Sequence, residues 1–165
     1  MKDKRILVVY YSYTGSTELI ASEIADALGA DLLKLQLAKP MPQGGRAFAI
    51  GGLTAALGIK ARLQAWDKDP SQYDAVIVGT PVWAWHTAPA FNRFWAEAKL
   101  QQPYALFSCS GDTPPAKLFD KAIQRVGTSP VCAPLGLVKV EGTRDKSIAD
   151  ARAWAASIVT ALDKS

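Results

Sequence analysis

The sequence is short of the residues that build metal centres and disulfide frameworks. Its 165 residues include two cysteines and one histidine. Cys109 and Cys132 form no C-x-x-C pair and His86 has no second histidine to join, which excludes a structural zinc site. Long hydrophobic runs are also missing. After the basic opening Met1-Lys2-Asp3-Lys4-Arg5, only Ile6 to Tyr11 are apolar, too few for a secretory signal's core, and no A-x-A-like cleavage site follows. Ala47 to Ile59 is broken by glycines and too short to span a bilayer. The expected location is therefore cytoplasmic, with no membrane span. Charge of one sign is not concentrated either: the formal charge of +4 comes from scattered basic residues, with no stripe interleaved with aromatics. That pattern describes a solvated surface and argues against a nucleic-acid partner.

What is present suits a globular chain, 49% hydrophobic and 21% charged, of a length for one domain with a sizeable core. Short apolar runs alternate with helical periodicities, the signature of a parallel sheet wrapped by helices. Ile6-Leu7-Val8-Val9-Tyr10-Tyr11 reads as a strand buried on both faces. Ile20, Ile24 and Leu28 recur every four residues over 16–28, and Gly29 supplies a stop. Leu33, Leu35 and Leu37 alternate with polar residues, as in a strand nearer the sheet edge. Ala75 to Val78 is the third strand. Pro89 opens a helix whose face carries Phe91, Phe94, Trp95 and Ala98. Tyr104 to Phe107 is the fourth strand. Pro114 and Pro115 precede a helix with Leu118, Ala122 and Val126, ended by Gly127. A fifth strand lies within 131–140, and Ile148, Ala151, Ala155, Ile158 and Leu162 mark the last helix. The stretch from Pro40 to Pro70 breaks this rhythm and reads as an inserted excursion holding a short helix. The whole of 1–165 is expected to be one domain.

Directly after the first strand comes Ser12-Tyr13-Thr14-Gly15-Ser16-Thr17, leading into the first helix. A helix N-terminus offers unpaired N–H groups and a positive dipole end, which favour an anion. Gly15 permits close backbone approach, and the hydroxyls of Ser12, Thr14, Ser16 and Thr17 can donate to phosphate oxygens. With no lysine or arginine in the loop, a singly linked phosphate fits better than a triphosphate. Neither G-x-G-x-x-G nor G-x-x-x-x-G-K-[ST] occurs here. The alternative is that Ser16 or Thr17 merely caps the helix.

The pattern Ser12-x-Thr14-Gly15-x-Thr17 resembles the phosphate loop of the flavodoxin family, and the resemblance covers nearly the whole chain outside the excursion. It implies an α/β, flavodoxin-like three-layer sandwich with a five-stranded parallel sheet in the order 2-1-3-4-5 and helices on both faces. It also implies FMN, with its phosphate at Ser12, Tyr13, Thr14, Gly15, Ser16 and Thr17. Thr80-Pro81-Val82-Trp83-Ala84-Trp85-His86, after the third strand, is similar to the family's ring-binding loop, in which a tryptophan stands where Trp83 does. Flavin faces call for aromatic partners; the alternative is that Trp83 and Trp85 pack back against Phe94 and Trp95. Ser108-Cys109-Ser110-Gly111-Asp112, after the fourth strand, resembles the second ring loop, whose backbone amides meet the pyrimidine edge.

Cys109 is not a phosphatase nucleophile, because that signature needs an arginine after five intervening residues and Pro115 stands there. Cys109 and Cys132 fall at opposite ends of neighbouring parallel strands, ~15 Å apart, too far for a disulfide. His86 reads as a half-exposed residue before a helix cap at Thr87 rather than a proton donor.

Two roles stay open. One is electron transfer with a redox partner protein. The other is an NAD(P)H-dependent FMN reductase of quinone-like acceptors, with the excursion serving as a substrate lid or homodimer contact. Asp112 to Leu118 lacks the aromatic with which family carriers commonly close the second flavin face. Ala84 stands where carriers often have a glycine whose peptide turns over during one-electron reduction. A Cβ there disfavours the required conformation by ~1 kcal/mol. A third reading is a cofactor-free binding protein with the same fold, against which the intact hexapeptide argues.

Overall fold

The computed structural model describes residues 4–42 and 44–164. Met1, Lys2 and Asp3 of the basic opening lie outside the described residues. The chain runs β1 (Ile6–Tyr10), α1 (Ser16–Leu28), β2 (Asp31–Lys34), α2 (Gly45–Ala56), β3 (Ala75–Trp83) and β4 (His86–Thr87). It continues through α3 (Pro89–Ala98), β5 (Tyr104–Ser110), α4 (Ala116–Val126), β6 (Leu135–Val138) and α5 (Arg144–Leu162). Among the described residues, five strands pair in parallel in the order β2-β1-β3-β5-β6, and β4 folds back antiparallel on β3. Apart from that two-residue hairpin strand, this is the expected 2-1-3-4-5 order.

β1 is buried along its whole length, as its unbroken apolar run requires. Pleating sends Val8, Ile77 and Phe107 to one face, where Ile20 and Ile24 of α1 and Ala151, Ala155 and Ile158 of α5 cover them. Leu7, Val9, Val78 and Leu106 point to the other face, under Phe91 and Phe94 of α3 and Leu118 and Phe119 of α4. The helical periodicities seen in the sequence therefore mark the two outer layers. Among the described residues, no helix is long and apolar enough to cross a membrane.

Several boundaries differ from the sequence reading, each for a local reason. β3 does not end at Val78 but continues to Trp83, so Thr80 to Trp83 are strand rather than loop. β5 likewise reaches Ser110, taking in Ser108 and Cys109. The two extensions pair with each other, Thr80 opposite Ser108 and Pro81 opposite Cys109. Backbone pairing needs no apolar side chain, so polar residues continue the ladder. β2 stops at Lys34; Leu37 instead bridges Leu63 in an antiparallel contact within the excursion. Thr87 belongs to β4, and Ala88 is the residue before α3.

The excursion is held at both ends. The Tyr13 hydroxyl donates to the Pro42 carbonyl at 3.0 Å, and the Ala38 and Gln64 amides donate to Arg62 and Gln36 carbonyls, both at 2.8 Å. The buried Asn92 side chain, bonded by Thr87 and Arg125, donates to the Ile59 carbonyl at 3.4 Å. α2 is thereby fixed over β3 and the β3–β4 hairpin.

Gly79 carries a close approach at the sheet centre. A Cβ built there would stand 2.1 Å from the ring of Phe107, which is fully buried and has no room to yield. Gly79→Ala should lower unfolding free energy by about 3 kcal/mol, read as a reduced midpoint in urea denaturation with an unchanged m-value.

Candidate functional site

The Ser12–Thr17 loop leaves β1 and turns into α1 through Gly15, the helix N-cap, at φ 102. A Cβ at Gly15 would meet nothing within 4 Å, so conformation rather than space requires glycine there. The Gly15 amide donates to Ser12 Oγ at 3.1 Å, which folds the loop. No side chain caps α1, so neither Ser16 nor Thr17 is spent as a cap. The first-turn amides have no partner within the helix, which makes this end an anion receptor. In the first turn of α1 itself, Glu18 is tied to Lys34 Nζ at 2.8 Å and accepts from the Tyr10 hydroxyl at 3.1 Å. The Lys34 bond holds the Glu18 carboxyl below its usual range. Burial, reinforced by Glu18, pushes the Tyr10 hydroxyl up to about 12.

In front of this loop lies a cleft of about 490 Å³. Tyr13, Thr14, Ser16 and Thr17 form its floor, Pro81, Val82 and Trp83 one wall, and Cys109, Ser110, Gly111 and Asp112 the opposite wall. The far end is closed by Lys139, Val140, Glu141 and Gly142, between β6 and α5, which sequence reasoning missed. A signal was available: in a parallel sheet the residue after the last strand must emerge at the same edge as the other strand ends. Lys139 adopts φ 56, donates its amide to the Ser110 carbonyl at 2.9 Å, and places Nζ 2.9 Å from Asp112.

Six residues expected at the site stand outside this lining. Ser12 and Gly15 shape the loop from behind. Thr80 is buried, its hydroxyl accepting from the Ala88 amide at 3.0 Å. Ser108 is fully buried, and its hydroxyl has no hydrogen-bond partner. Ala84 and Trp85 form the tip of the β3–β4 hairpin, with Trp83 paired to His86.

That tip is a two-residue turn with both central residues left-handed, Ala84 at φ 48 and Trp85 at φ 61. Such turns favour Asn-Gly, and each non-glycine residue there costs ~1 kcal/mol. Ala84 thus carries its Cβ in the left-handed region. Trp85 projects to solvent and is 52% exposed. Among the described residues, neither tryptophan makes a ring pair with Phe94 or Trp95: Phe94 meets Trp66 and Trp95 stacks on Phe91. Trp83 is instead held edge-on by Tyr11 and Tyr13, with ring centroids 5.9 and 6.2 Å away. On its other side α2 comes so close that a Cβ on Gly51 would lie 2.9 Å from the indole. His86 is half-buried; its Nδ1 donates to the Ala84 carbonyl at 2.6 Å and its Nε2 accepts from Lys121 at 2.8 Å. Both ring nitrogens are engaged away from the cleft.

The sequence model of the flavodoxin family matches residues 5–121. The chain belongs to the flavodoxin family. The matched stretch contains the loop and both tryptophans and ends within α4. No curated protein is matched. Among solved structures, the flavoprotein in complex with FMN from Lactobacillus acidophilus NCFM is similar over 87% of this chain and 97% of its own, at 19% identity and a TM-score of 0.69. The oxidised Flavodoxin 2 from Bacillus cereus is similar over 97% and 98%, at 16% identity and 0.59. The WrbA-like flavodoxin from Agrobacterium tumefaciens is similar over 98% of both, at 17% and 0.61. Likeness at these identities carries the flavodoxin fold.

In this flavodoxin-family chain both described cysteines are free thiols. Burial pushes the Cys109 thiol up to about 12, against the hydrogen bond from Thr17; Cys132 is half-buried and raised less. Cys109 therefore stays protonated throughout the neutral range. Iodoacetamide at pH 8 should alkylate Cys132 well before Cys109, as read by peptide mapping of the native protein. Equal labelling rates would contradict the packing of β5 against α1.

Proposed function

We propose that the protein binds FMN in the cleft between the Ser12–Thr17 loop and the carboxyl ends of β3, β5 and β6, and serves in electron transfer. The observation that carries this reading is the uncapped N-terminus of α1 opening into the same cleft as the Trp83 wall. The fit is chemical as well as spatial. First-turn amides and the hydroxyls of Thr14 and Ser16 suit a phosphate, and the volume lies in the range of small-ligand sites. Trp83, braced by Tyr11 and Tyr13, offers an aromatic boundary to a flat ring. Cys109 to Asp112 bring strand-end backbone to the opposite wall. When bound, FMN supplies the capacity to accept and release one or two electrons. The chain's own part is to hold the phosphate, orient the ring and shield it from water.

A second reading, reduction of quinone-like acceptors by NAD(P)H, is favoured by one observation. The wall opposite Trp83 holds no aromatic, and Trp85 stands outside the cleft lining, so one side of the cleft remains accessible to a small substrate. The redox partner, whether a protein reductase or NAD(P)H, belongs to the same proposal.

Thr14 and Ser16 are exposed and half-buried, so their replacement spares the core, whereas Thr17 is buried. Thr14→Ala with Ser16→Ala should weaken FMN binding by about 2 kcal/mol, or ~30-fold in Kd, measured by flavin fluorescence titration. Unchanged affinity would refute the phosphate assignment. Anaerobic reductive titration of the FMN complex then separates the roles. Two resolved one-electron steps support electron carriage. A single two-electron step, with NAD(P)H consumed in the presence of a quinone, supports the reductase.

A further inference from the structure

A second cavity, of about 400 Å³, lies behind Trp83, on the excursion side. Its walls are apolar: Tyr11, Leu37, Met41, Ile59, Pro89 and the back of the Trp83 indole. Among the described residues it shares Trp83 alone with the cleft in front of the phosphate loop. Charge enters the lining at two points, Lys39 and Arg62, and both are cations. They lie on the two chains of the antiparallel contact that closes the excursion, where the Ala38 amide meets the Arg62 carbonyl. Both are exposed, so they stand at the rim rather than in the apolar interior. Among the described residues neither makes an ion pair, whereas Lys34 is paired with Glu18 and Lys68 with Asp67. Among the described residues no carboxylate lines the cavity, and residues 32–66 contain no aspartate or glutamate at all.

From these features we infer that the cavity is a binding site for an apolar organic carboxylate. The hydrophobic body sits against Trp83, Met41 and Ile59, and the carboxylate meets Lys39 and Arg62 at the rim. Apolar walls supply affinity by area removed from water, and the paired cations select an anion over a neutral molecule of the same shape. Hydrogen bonds brace the walls. Thr54 returns its hydroxyl to α2, donating to the Ile50 carbonyl at 2.8 Å, and Asn92 and Pro89 tie the returning chain to α3. The inference does not rest on the flavin proposal, because apart from Trp83 it concerns residues that the phosphate-loop cleft does not use.

The probe is 2-naphthoate, titrated calorimetrically into the purified protein at low salt, with and without saturating FMN. Binding at ~100 µM or tighter is expected, equal in both conditions, since the two cavities are separate. Lys39→Ala with Arg62→Ala should weaken naphthoate at least ~tenfold while changing the affinity of neutral 2-naphthalenemethanol less than ~twofold. Ala61→Phe, which fills the cavity, should abolish binding of both probes. Three results would each overturn the inference: no naphthoate binding, equal loss of both probes in the double variant, or displacement of naphthoate by FMN. A failure of FMN to bind would refute the flavin proposal and leave the naphthoate result standing.

Discussion

The architecture depends on β1 being buried on both faces and paired on both edges. Leu7 to Tyr10 pair with β2 on one side, while Ile6 to Tyr10 pair with β3 on the other. The chain therefore leaves β1 toward one edge of the sheet and later returns on the opposite side. Crossovers of one hand then put α1 on one face and α3 on the other, and the connections part in front of β1's carboxyl end. A crevice at that point is a topological consequence, and the Ser12–Thr17 loop occupies it because it is the first chain after β1. Gly15 completes the arrangement by turning the chain into α1 without a capping side chain.

Much of this was legible because burial writes itself into residue type. The ILVVY run of β1, the four-residue spacing of Ile20 and Ile24, and the glycines that end α1 and α4 correspond to the elements observed. Ends of elements were less legible, since a strand can outlast its apolar residues where backbone pairing continues, as from Thr80 to Trp83 and from Ser108 to Ser110. Those extensions convert presumed loops into rigid walls. Lys139-Val140-Glu141-Gly142 carries neither the hydroxyls nor the aromatics that mark the other cleft segments, so its place in the lining is not written in its residue types. Nor could the hairpin tip be read: Ala84-Trp85 lacks the Asn-Gly signature of a two-residue turn.

Trp83 has a larger structural part than a single aromatic contact. It is braced by two tyrosines, contacts α2 at Gly51, and forms the partition between two cavities. Gly51 matters for the same reason as Gly79, because in each case an aromatic ring lies where a Cβ would be. The excursion is therefore an integral wall of the molecule, packed on the sheet through Trp83. This also explains how a long insertion is accommodated: loop length itself costs little, and the added chain recovers it by packing.

The acid-free stretch from Leu32 to Trp66 has a consequence at longer range. It carries five basic residues and no acidic ones, so the remainder of the chain is slightly negative although the protein as a whole is positive. Four of the five, Lys39, Arg46, Lys60 and Arg62, fall in or beside the excursion, while Lys34 is tied to Glu18. Such a local surplus attracts a negatively charged neighbour before contact, over distances comparable with the Debye length of about 8 Å in physiological salt. Encounters are thus biased in orientation: negative bodies meet the excursion first, and with it the side of the molecule on which Trp83 stands.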